Sequence, residues 1–282
     1  MIIESSREKI RNAIMIAEQV TGKNLSLPIL ANIILETQDR LLKIKATNLD
    51  LGLELSLPCK ISKDGAVALN GALLSNFFNN LPLIEDKIKI ELSNGNLTIS
   101  SSCNSTTIKG FPTDDFPLIP IPDKSNSFFI HSKELVKALK SVWYSASFSN
   151  LKPEISSVCF YQQVGNIALV ATDSFRLAEK LLWGEKNKLA VNHLIVPLKN
   201  ITKVLKIIDT LDADLEVKYN QHQISFLIEH FYLTSRLIDG IYPDYRQIMP
   251  THWETEATVS RGELLDLLKL ASVFTDKFTH EF

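Results

Sequence analysis

Six lysines have the spacing of two basic helix faces. Within each group of three, the lysines lie four and three residues apart, which places them on one side of an α-helix. A single basic face is usually just solvated, but the repetition of the pattern favours a surface that contacts phosphates. The two groups are Lys133, Lys137, Lys140 and Lys199, Lys203, Lys206.

The residues that could support catalysis are few. The sequence contains no P-loop, HExxH, GxSxG or GxGxxG motif, and its six histidines lack metal-ligand spacing. Asp114 and Asp115 are an adjacent acidic pair that a metal-dependent nuclease could use. Because they lie in a proline-flanked loop, we interpret them as solvent-facing. Asp173 and Arg176 form a possible catalytic pair, although a turn-stabilising aspartate is the preferred interpretation of Asp173.

Composition limits the classes of protein that remain. The 282 residues carry 30 basic and 32 acidic side chains, a formal net charge of −2, and 45% of the residues are hydrophobic. At roughly 100–200 residues per domain this length suggests about two domains, each with enough apolar material for a core. A protein that grips nucleic acid by overall charge would be basic, so any such contact must use a local patch.

The cysteines and the N-terminus predict a cytoplasmic protein. Cys59, Cys103 and Cys159 lie far apart without a CxxC motif, which argues against a disulfide framework or a cysteine-based zinc site. The first residues include charges and lack a long apolar segment, so we expect no signal peptide. No apolar run approaches the ~20 residues of a membrane span.

The chain contains an internal repeat. The segment that begins at Leu27 aligns without a gap with the segment that begins at Lys152, 125 residues later. Within it, Ala46-Thr47-Asn48 falls on Ala171-Thr172-Asp173. Such a period indicates repeated structural modules. We predict module one at residues 1–122, module two at residues 128–250 and the start of a third module at residues 257–282.

Each module reads as helix, strands, helix, strands, which predicts an α+β fold with helices packed on antiparallel sheet. The predicted helices cover 7–20, 71–80, 133–145 and 198–209. In module one the predicted strands cover 31–36, 41–46, 50–56, 87–92 and 96–101, with counterparts in module two. Asn94-Gly95 predicts a hairpin turn. Ser6, Ser132 and Ser260 each precede an amphipathic segment and are predicted helix N-caps.

Several motifs resemble one protein family, and the resemblance extends along the whole chain. The segments are LPILANIIL, KATNLDLGLE, VATDSFRLAE, LIVPLKNI and LIDGIYPDYRQIMP. They are similar to the beta sliding clamps, the beta subunits of bacterial DNA polymerase III. The resemblance implies three modules per chain and two chains closed head to tail into a ring, with helices lining the hole and sheets outside. It implies a non-catalytic protein without cofactor or metal that encircles duplex DNA and is opened by a separate loader.

The resemblance also implies positions for DNA contact and for partner binding. By match to the family, Lys23, Lys152 and Lys199 would contact DNA, in addition to the helix-face lysines derived from spacing. A pocket between modules two and three would bind short peptides of the polymerase III catalytic subunit, the clamp loader and other clamp-motif proteins. The matching positions are Ile155, Thr172, Ser174, Phe175, Arg176, Leu177, Pro243, Gln247 and Ile248.

The chain also departs from the family pattern. The usual Gly-His pair is Ser174-Phe175 here, and a usual arginine is Gln247, so partner preference is open. The chain contains only the first helix of a third module, which leaves self-association into a ring in doubt. The expected subunit interface comprises Phe77, Phe78, Thr106 and Ile108. Two alternatives stay open: a clamp fragment that only binds peptides, and an unrelated nuclease using Asp114 and Asp115.

Overall fold

The computed structural model describes most of the chain and divides it into two compact units. The described residues are 1–22, 26–81, 87–101, 104–122, 126–149, 151–163, 166–182 and 193–274. The first unit is Met1–Pro243 and the second is Asp244–Phe282. In the second unit the described helix is α5 (Arg261–Ala271), which has no buried residue.

Module one combines two helices with antiparallel strands. Helices α1 and α2 pack against each other, and α1 packs on the strands beside it. In chain order the elements are β1 (Ile2–Ser6), α1 (Arg7–Glu18), β2 (Asn32–Gln38), β3 (Leu41–Thr47), β4 (Leu51–Pro58), β5 (Lys60–Lys63), β6 (Ala66–Asn70), α2 (Gly71–Asn80), β7 (Lys87–Ser93), β8 (Asn96–Ser100) and β9 (Ser105–Lys109).

Module two repeats this order, although no counterpart of β5 is found among its described residues. Helices α3 and α4 again pack against each other, and their buried faces contribute to the apolar core. The elements are β10 (Asn126–His131), α3 (Ser132–Lys140), β11 (Ser157–Gln163), β12 (Asn166–Thr172), β13 (Leu177–Leu182), β14 (His193–Pro197), α4 (Leu198–Ile208), β15 (Asp214–Tyr219), β16 (Gln223–Ile228) and β17 (Phe231–Arg236).

One sheet joins the two modules. Its eight strands run in the order β10-β15-β16-β17-β4-β3-β2-β6, so β17 of module two pairs with β4 of module one. The pair is antiparallel, with Leu53 opposite Leu233 and Leu55 opposite Phe231. These four side chains are buried in the core. The modules are therefore connected by continuous backbone hydrogen bonding and by a shared core, and not by the linker alone.

Each of the two remaining sheets ends in a strand that corresponds to one of the two strands paired across the module boundary. One has the order β5-β1-β7-β8-β9 and the other has the order β13-β12-β11-β14. The repeat makes β13 the counterpart of β4, because Thr172 pairs with Leu177 as Thr47 pairs with Gly52. It also makes β9 the counterpart of β17. Both counterparts are edge strands within the described residues.

The predicted elements are largely confirmed, with two corrections near the helices. Residues 133–145 do not form one helix, because Val142 leaves helical geometry at φ −127° and a separate 3₁₀ turn, Trp143–Ser145, follows.

The predicted serine N-caps do not make the side-chain hydrogen bonds expected of them. Neither Ser6 nor Ser260 makes a side-chain cap bond, and the cap of α3 is His131, whose Nδ1 accepts from the Lys133 N–H. The short strand β1 before α1 was not predicted.

The predicted hairpin turn is present at Asn94-Gly95. Strands β7 and β8 meet with Ser93 opposite Asn96, and the two turn residues have φ values of 50° and 78°. Positive φ at both central positions is the conformation that two-residue hairpins require, and the Asn-Gly pair adopts it at low cost.

A substitution at Gly52 tests how closely the side chains pack where the two modules meet. A Cβ atom at Gly52 would lie 2.7 Å from Cγ2 of Ile119 and 3.2 Å from Cγ2 of Thr234. We expect Gly52→Ala to lower the free energy of unfolding by about 1–3 kcal/mol, since overpacking forces neighbours to shift. Urea denaturation measures this. Gly262→Ala is the control, because its nearest atom would be 3.9 Å away; equal destabilisation by both variants would contradict the prediction.

Candidate nucleic-acid and peptide interfaces

The helix-face lysines of module two lie on two helices that pack side by side. In α3, Lys133, Lys137 and Lys140 are exposed while Leu135 and Leu139 are buried. In α4, the lysines alternate with buried Ile201, Val204 and Leu205, as an amphipathic helix requires. Lys199 and Lys206 are exposed and Lys203 is half-buried. The structure thus brings the six lysines onto neighbouring solvent-facing helix faces.

Three of these lysines are ion-paired with aspartates outside their own helices. Lys133 Nζ lies 2.5 Å from Asp212 and Lys140 Nζ lies 2.8 Å from Asp209. The Lys133 ammonium, through its hydrogen bond and charge, lowers the pKa of Asp212. Exposed ion pairs of this kind contribute little to stability because solvent screens them. Sequence reasoning missed these partners, which lie just beyond the end of α4.

The third ion pair crosses between the modules. Lys199 Nζ lies 2.5 Å from Asp50, in the turn that precedes β4. On the same helix, burial lowers the pKa of Lys203, although the charges of Glu18 and Asp50 oppose this effect. Helix α4 therefore presents its lysines beside carboxylates of module one. Of the other predicted DNA contacts, Lys152 is exposed and Lys23 lies outside the described residues.

A turn built twice by the repeat positions the predicted peptide-pocket residues. In module two the Thr172 Oγ1 donates to the Arg176 carbonyl at 2.8 Å, and Asp173 Oδ1 accepts from the N–H groups of Phe175 and Arg176. Ser174 has a φ of 79°. Thr172 is buried and holds the turn, so its side chain acts on the backbone of the turn.

The module-one copy of the turn has the same geometry. Thr47 Oγ1 donates to the Leu51 carbonyl at 2.7 Å, and Asn48 Oδ1 accepts from the N–H groups of Asp50 and Leu51. Leu49 has a φ of 75°, matching Ser174. An asparagine and an aspartate therefore serve the same structural role 125 residues apart. This agreement confirms the turn-stabilising interpretation of Asp173.

The Asp173 carboxylate is held in its charged form. Burial raises its pKa, but the backbone donors Arg176 and Phe175, the charge of Arg176 and its side-chain hydrogen bond together lower the pKa below the ordinary value. The Arg176 Nε lies 2.9 Å from Asp173 Oδ2. This pairing turns Arg176 back onto its own turn, while the Phe175 side chain is 98% exposed at the tip.

The remaining predicted pocket residues belong to both compact units. Ile155 and Leu177 are half-buried and Pro243 is exposed, all in the first unit. In the second unit, Gln247 lies in the 3₁₀ turn Tyr245–Ile248 and its side-chain amide donates to Asp244 at 2.9 Å. The Ile248 side chain lies outside what the structure describes.

The predicted subunit-interface residues divide into surface and core. Phe78 is fully buried in module one and Ile108 is 5% exposed, so both side chains pack in the core of this chain. The sequence could not separate them from their neighbours, because only helical phase and strand alternation decide which side faces the core. Phe77 is half-buried, with its ring 5.5 Å from that of Phe78, and Thr106 is exposed on the edge strand β9.

The described residues do not gather the candidate acids into a metal-binding cluster. Asp114 and Asp115 are exposed in their loop, and the described side chains include no cluster of three metal-binding groups. Burial raises the pKa of the Cys159 thiol to about 12, so it is not a reactive nucleophile. Within the described part of the chain, no helix has both the length and the apolarity needed to cross a bilayer.

Comparisons with known proteins agree with this architecture. Two family models match: DNA polymerase III beta subunit, N-terminal domain, over residues 1–120, and its central domain, over residues 129–244. The beta sliding clamp of Treponema pallidum is 26% identical over 285 residues, covering 99% of this chain and 75% of its own length. That of Synechococcus elongatus is 24% identical over 277 residues, covering 96% and 73%.

Solved structures show the same fold. The sliding clamp of Bacillus subtilis superimposes with a TM-score of 0.89 at 22% identity, covering 99% of this chain and 75% of that chain. A sliding clamp of Pseudomonas aeruginosa, bound to griselimycin, gives 0.91 at 21% identity, covering 99% and 76%. The chain therefore spans about three quarters of the length of these relatives.

The repeated α+β modules, with helices packed on antiparallel sheets, have the fold of the solved sliding clamps. The two family matches together cover most of the chain, and they identify the particular family. The chain belongs to the DNA polymerase III beta subunits, the beta sliding clamps. Its function is that of a DNA sliding clamp, a processivity factor and not an enzyme. The nuclease interpretation of Asp114 and Asp115 is not favoured.

Asp173 gives the turn at the predicted pocket a pH-dependent stability. Its lowered folded pKa means that the carboxylate stabilises the native state above the ordinary value of 3.8 and loses this effect as the pH falls through the folded pKa. Asp173→Asn keeps a side-chain oxygen that can accept from the backbone N–H groups of the turn, as Asn48 does in module one, but it loses the charge. We expect wild type to be more stable than this variant by up to about 1 kcal/mol at pH 7.

This difference should shrink to nothing as the pH is lowered below the folded pKa of Asp173. The urea midpoints of both proteins are measured at several pH values between about pH 7 and pH 3, a range that includes the ordinary pKa of a carboxyl group. Leu73→Ala, which removes an exposed apolar side chain on α2 and no titratable group, is the control and should show no such convergence. A pH-independent difference at position 173 would contradict the charge effect.

Proposed function

We propose that this sliding clamp contacts the phosphate backbone of duplex DNA through the lysine faces of α3 and α4. The observation that carries the proposal is the exposure of Lys137, Lys140, Lys199 and Lys206 on the faces of two helices that contact each other in a slightly acidic chain. Contact with phosphates is independent of sequence. Partial neutralisation by aspartates keeps the contact weak, which suits a protein that must move along DNA.

The second part of the proposal concerns ring formation by several copies. Strand β9 is the repeat counterpart of β17, and β17 closes the joint between modules by pairing with β4. The hydroxyls of Thr98 and Thr107, 3.0 Å apart on β8 and β9, match those of Ser225 and Thr234, 2.9 Å apart on β16 and β17. We therefore assign the open edge of β9, with exposed Thr106, to pairing with another clamp module of a second chain.

The third part concerns partner peptides. Phe175 and Leu177, presented by the turn before β13, offer apolar surface to a leucine or phenylalanine of a docking peptide, with Ile155 and Pro243 nearby in the family pattern. Such apolar anchors supply most of the energy of a peptide interface. The proposed partners are the polymerase III catalytic subunit, the clamp loader and other clamp-motif proteins, acting in the cytoplasm.

The DNA contact can be tested through its salt dependence. Each phosphate contact contributes about −0.9 to the slope of log K against log salt. We expect Lys137→Gln combined with Lys206→Gln to make this slope shallower by about 2 and to weaken binding of unrelated duplexes equally. Fluorescence anisotropy with two duplex sequences measures both. Lys60→Gln, which removes a lysine paired with Glu4 in module one, is the control; an unchanged slope in the double variant would contradict the proposal.

The peptide site can be tested with a labelled clamp-motif peptide. Truncation of an apolar anchor typically costs 2 kcal/mol or more, so Leu177→Ala should weaken binding by about 30-fold or more. Leu73→Ala, an exposed leucine on α2, is the matched control and should leave the affinity unchanged. Tight binding by Leu177→Ala would remove Leu177 from the site.

A further inference from the structure

A concave groove lies at the junction of modules one and two, within the first compact unit. Its volume is about 680 Å³. Module one contributes Asp50 from the turn before β4. Module two contributes Phe148 and Pro153 from one loop, Lys199 from the start of α4, and Arg236 from the end of β17. The groove is separate from the peptide site proposed at Phe175 and Leu177, none of whose residues lines it.

The internal repeat explains where this groove lies. Asp50 is the counterpart of Phe175, since each is the fourth residue of the twice-built turn. The joint between the modules brings Arg236 to that turn, where its backbone N–H donates to the Asp50 carbonyl at 2.8 Å. The module-one copy of the turn thus lies against module two, and the module-two copy lies beside β13. A recognition surface beside one copy has a structural equivalent beside the other.

The side chains of the groove differ from those at Phe175. One wall is apolar: the Phe148 side chain is 71% exposed, with Pro153, Leu237 and Ile238 close by. The lining also includes two cationic side chains, Lys199 and Arg236. Lys199 is held by Asp50, whereas the exposed Arg236 guanidinium makes no ion pair with any described residue. A guanidinium in this setting is suited to a bidentate contact with a carboxylate.

We propose that this groove binds a short peptide segment that carries apolar side chains next to a carboxylate. The apolar groups pack on Phe148 and Ile238, and the carboxylate pairs with Arg236. The volume lies in the range of about 300–1,000 Å³ that ligand sites occupy. A largely apolar concave wall favours a peptide over duplex DNA, whose backbone offers no apolar group to fill it. The proposal is independent of the peptide site at Leu177.

The test uses the full 282-residue chain and a defined probe. The probe is fluorescein-Gly-Gly-Leu-Phe-Asp with a free C-terminus, and the control probe replaces Asp with Asn and amidates the C-terminus. Binding is followed by anisotropy in the Leu177→Ala background, which removes the other site. We expect Arg236→Gln to weaken binding about 10-fold or more, as a charged hydrogen-bond pair predicts. Phe148→Ala should weaken it several-fold, and the uncharged probe should bind as poorly as the Arg236 variant.

The controls separate this outcome from misfolding and from DNA binding. Arg40→Gln, in the turn between β2 and β3 outside the groove, should leave the affinity unchanged. Urea midpoints report whether Arg236→Gln is folded, and Phe148→Ala, in an exposed loop, provides the test if it is not. Equal binding by Arg236→Gln, Phe148→Ala and wild type in this background would overturn the proposal. Displacement of the probe by a short duplex DNA at its own binding concentration would also overturn it, in favour of a nucleic-acid contact.

Discussion

The antiparallel pairing of β17 with β4 is the interaction on which the rest of the structure depends. It makes one sheet of eight strands from two modules and buries Leu53, Leu55, Phe231 and Leu233 across the boundary. The pairing also sets where function can lie. It brings Lys199 of α4 to Asp50 of module one, fixes Arg236 against the same turn, and leaves β9 and β13 as the edges that correspond to it.

The proposed charge contact is weak because of this arrangement and the chain's composition. The chain as a whole is slightly acidic, and six of its 30 basic residues lie on α3 and α4. Aspartates at positions 50, 209 and 212 neutralise part of this surface. A protein that holds DNA by enclosure needs little affinity for any one phosphate, and strong contact would resist sliding. The mixed surface is therefore consistent with a processivity factor and unlike that of a high-affinity DNA-binding protein.

The sequence predicted the repeat, the helices and most strands because each depends on local periodicity. It predicted a turn-stabilising role for Asp173, and the structure adds that Asn48 holds the equivalent turn of module one. It did not predict which carboxylates pair with the lysines, since Asp212 and Lys133 are 79 residues apart and meet only through packing of α3 on α4. It did not show that Phe78 and Ile108 are buried, because an apolar residue beside an interface and one beneath it have the same sequence pattern. The groove at Arg236 was not predicted, because it exists only once β17 has paired with β4.

The central claim is that this clamp holds DNA by enclosing it. The most direct measurement is retention on nicked circular duplex DNA, loaded with a clamp loader and ATP and separated by gel filtration at a salt concentration that suppresses phosphate contact. The account predicts that the protein elutes with the circle and leaves the DNA when a restriction enzyme linearises it. Retention that is unchanged by linearisation, or no retention on the circle, would contradict enclosure.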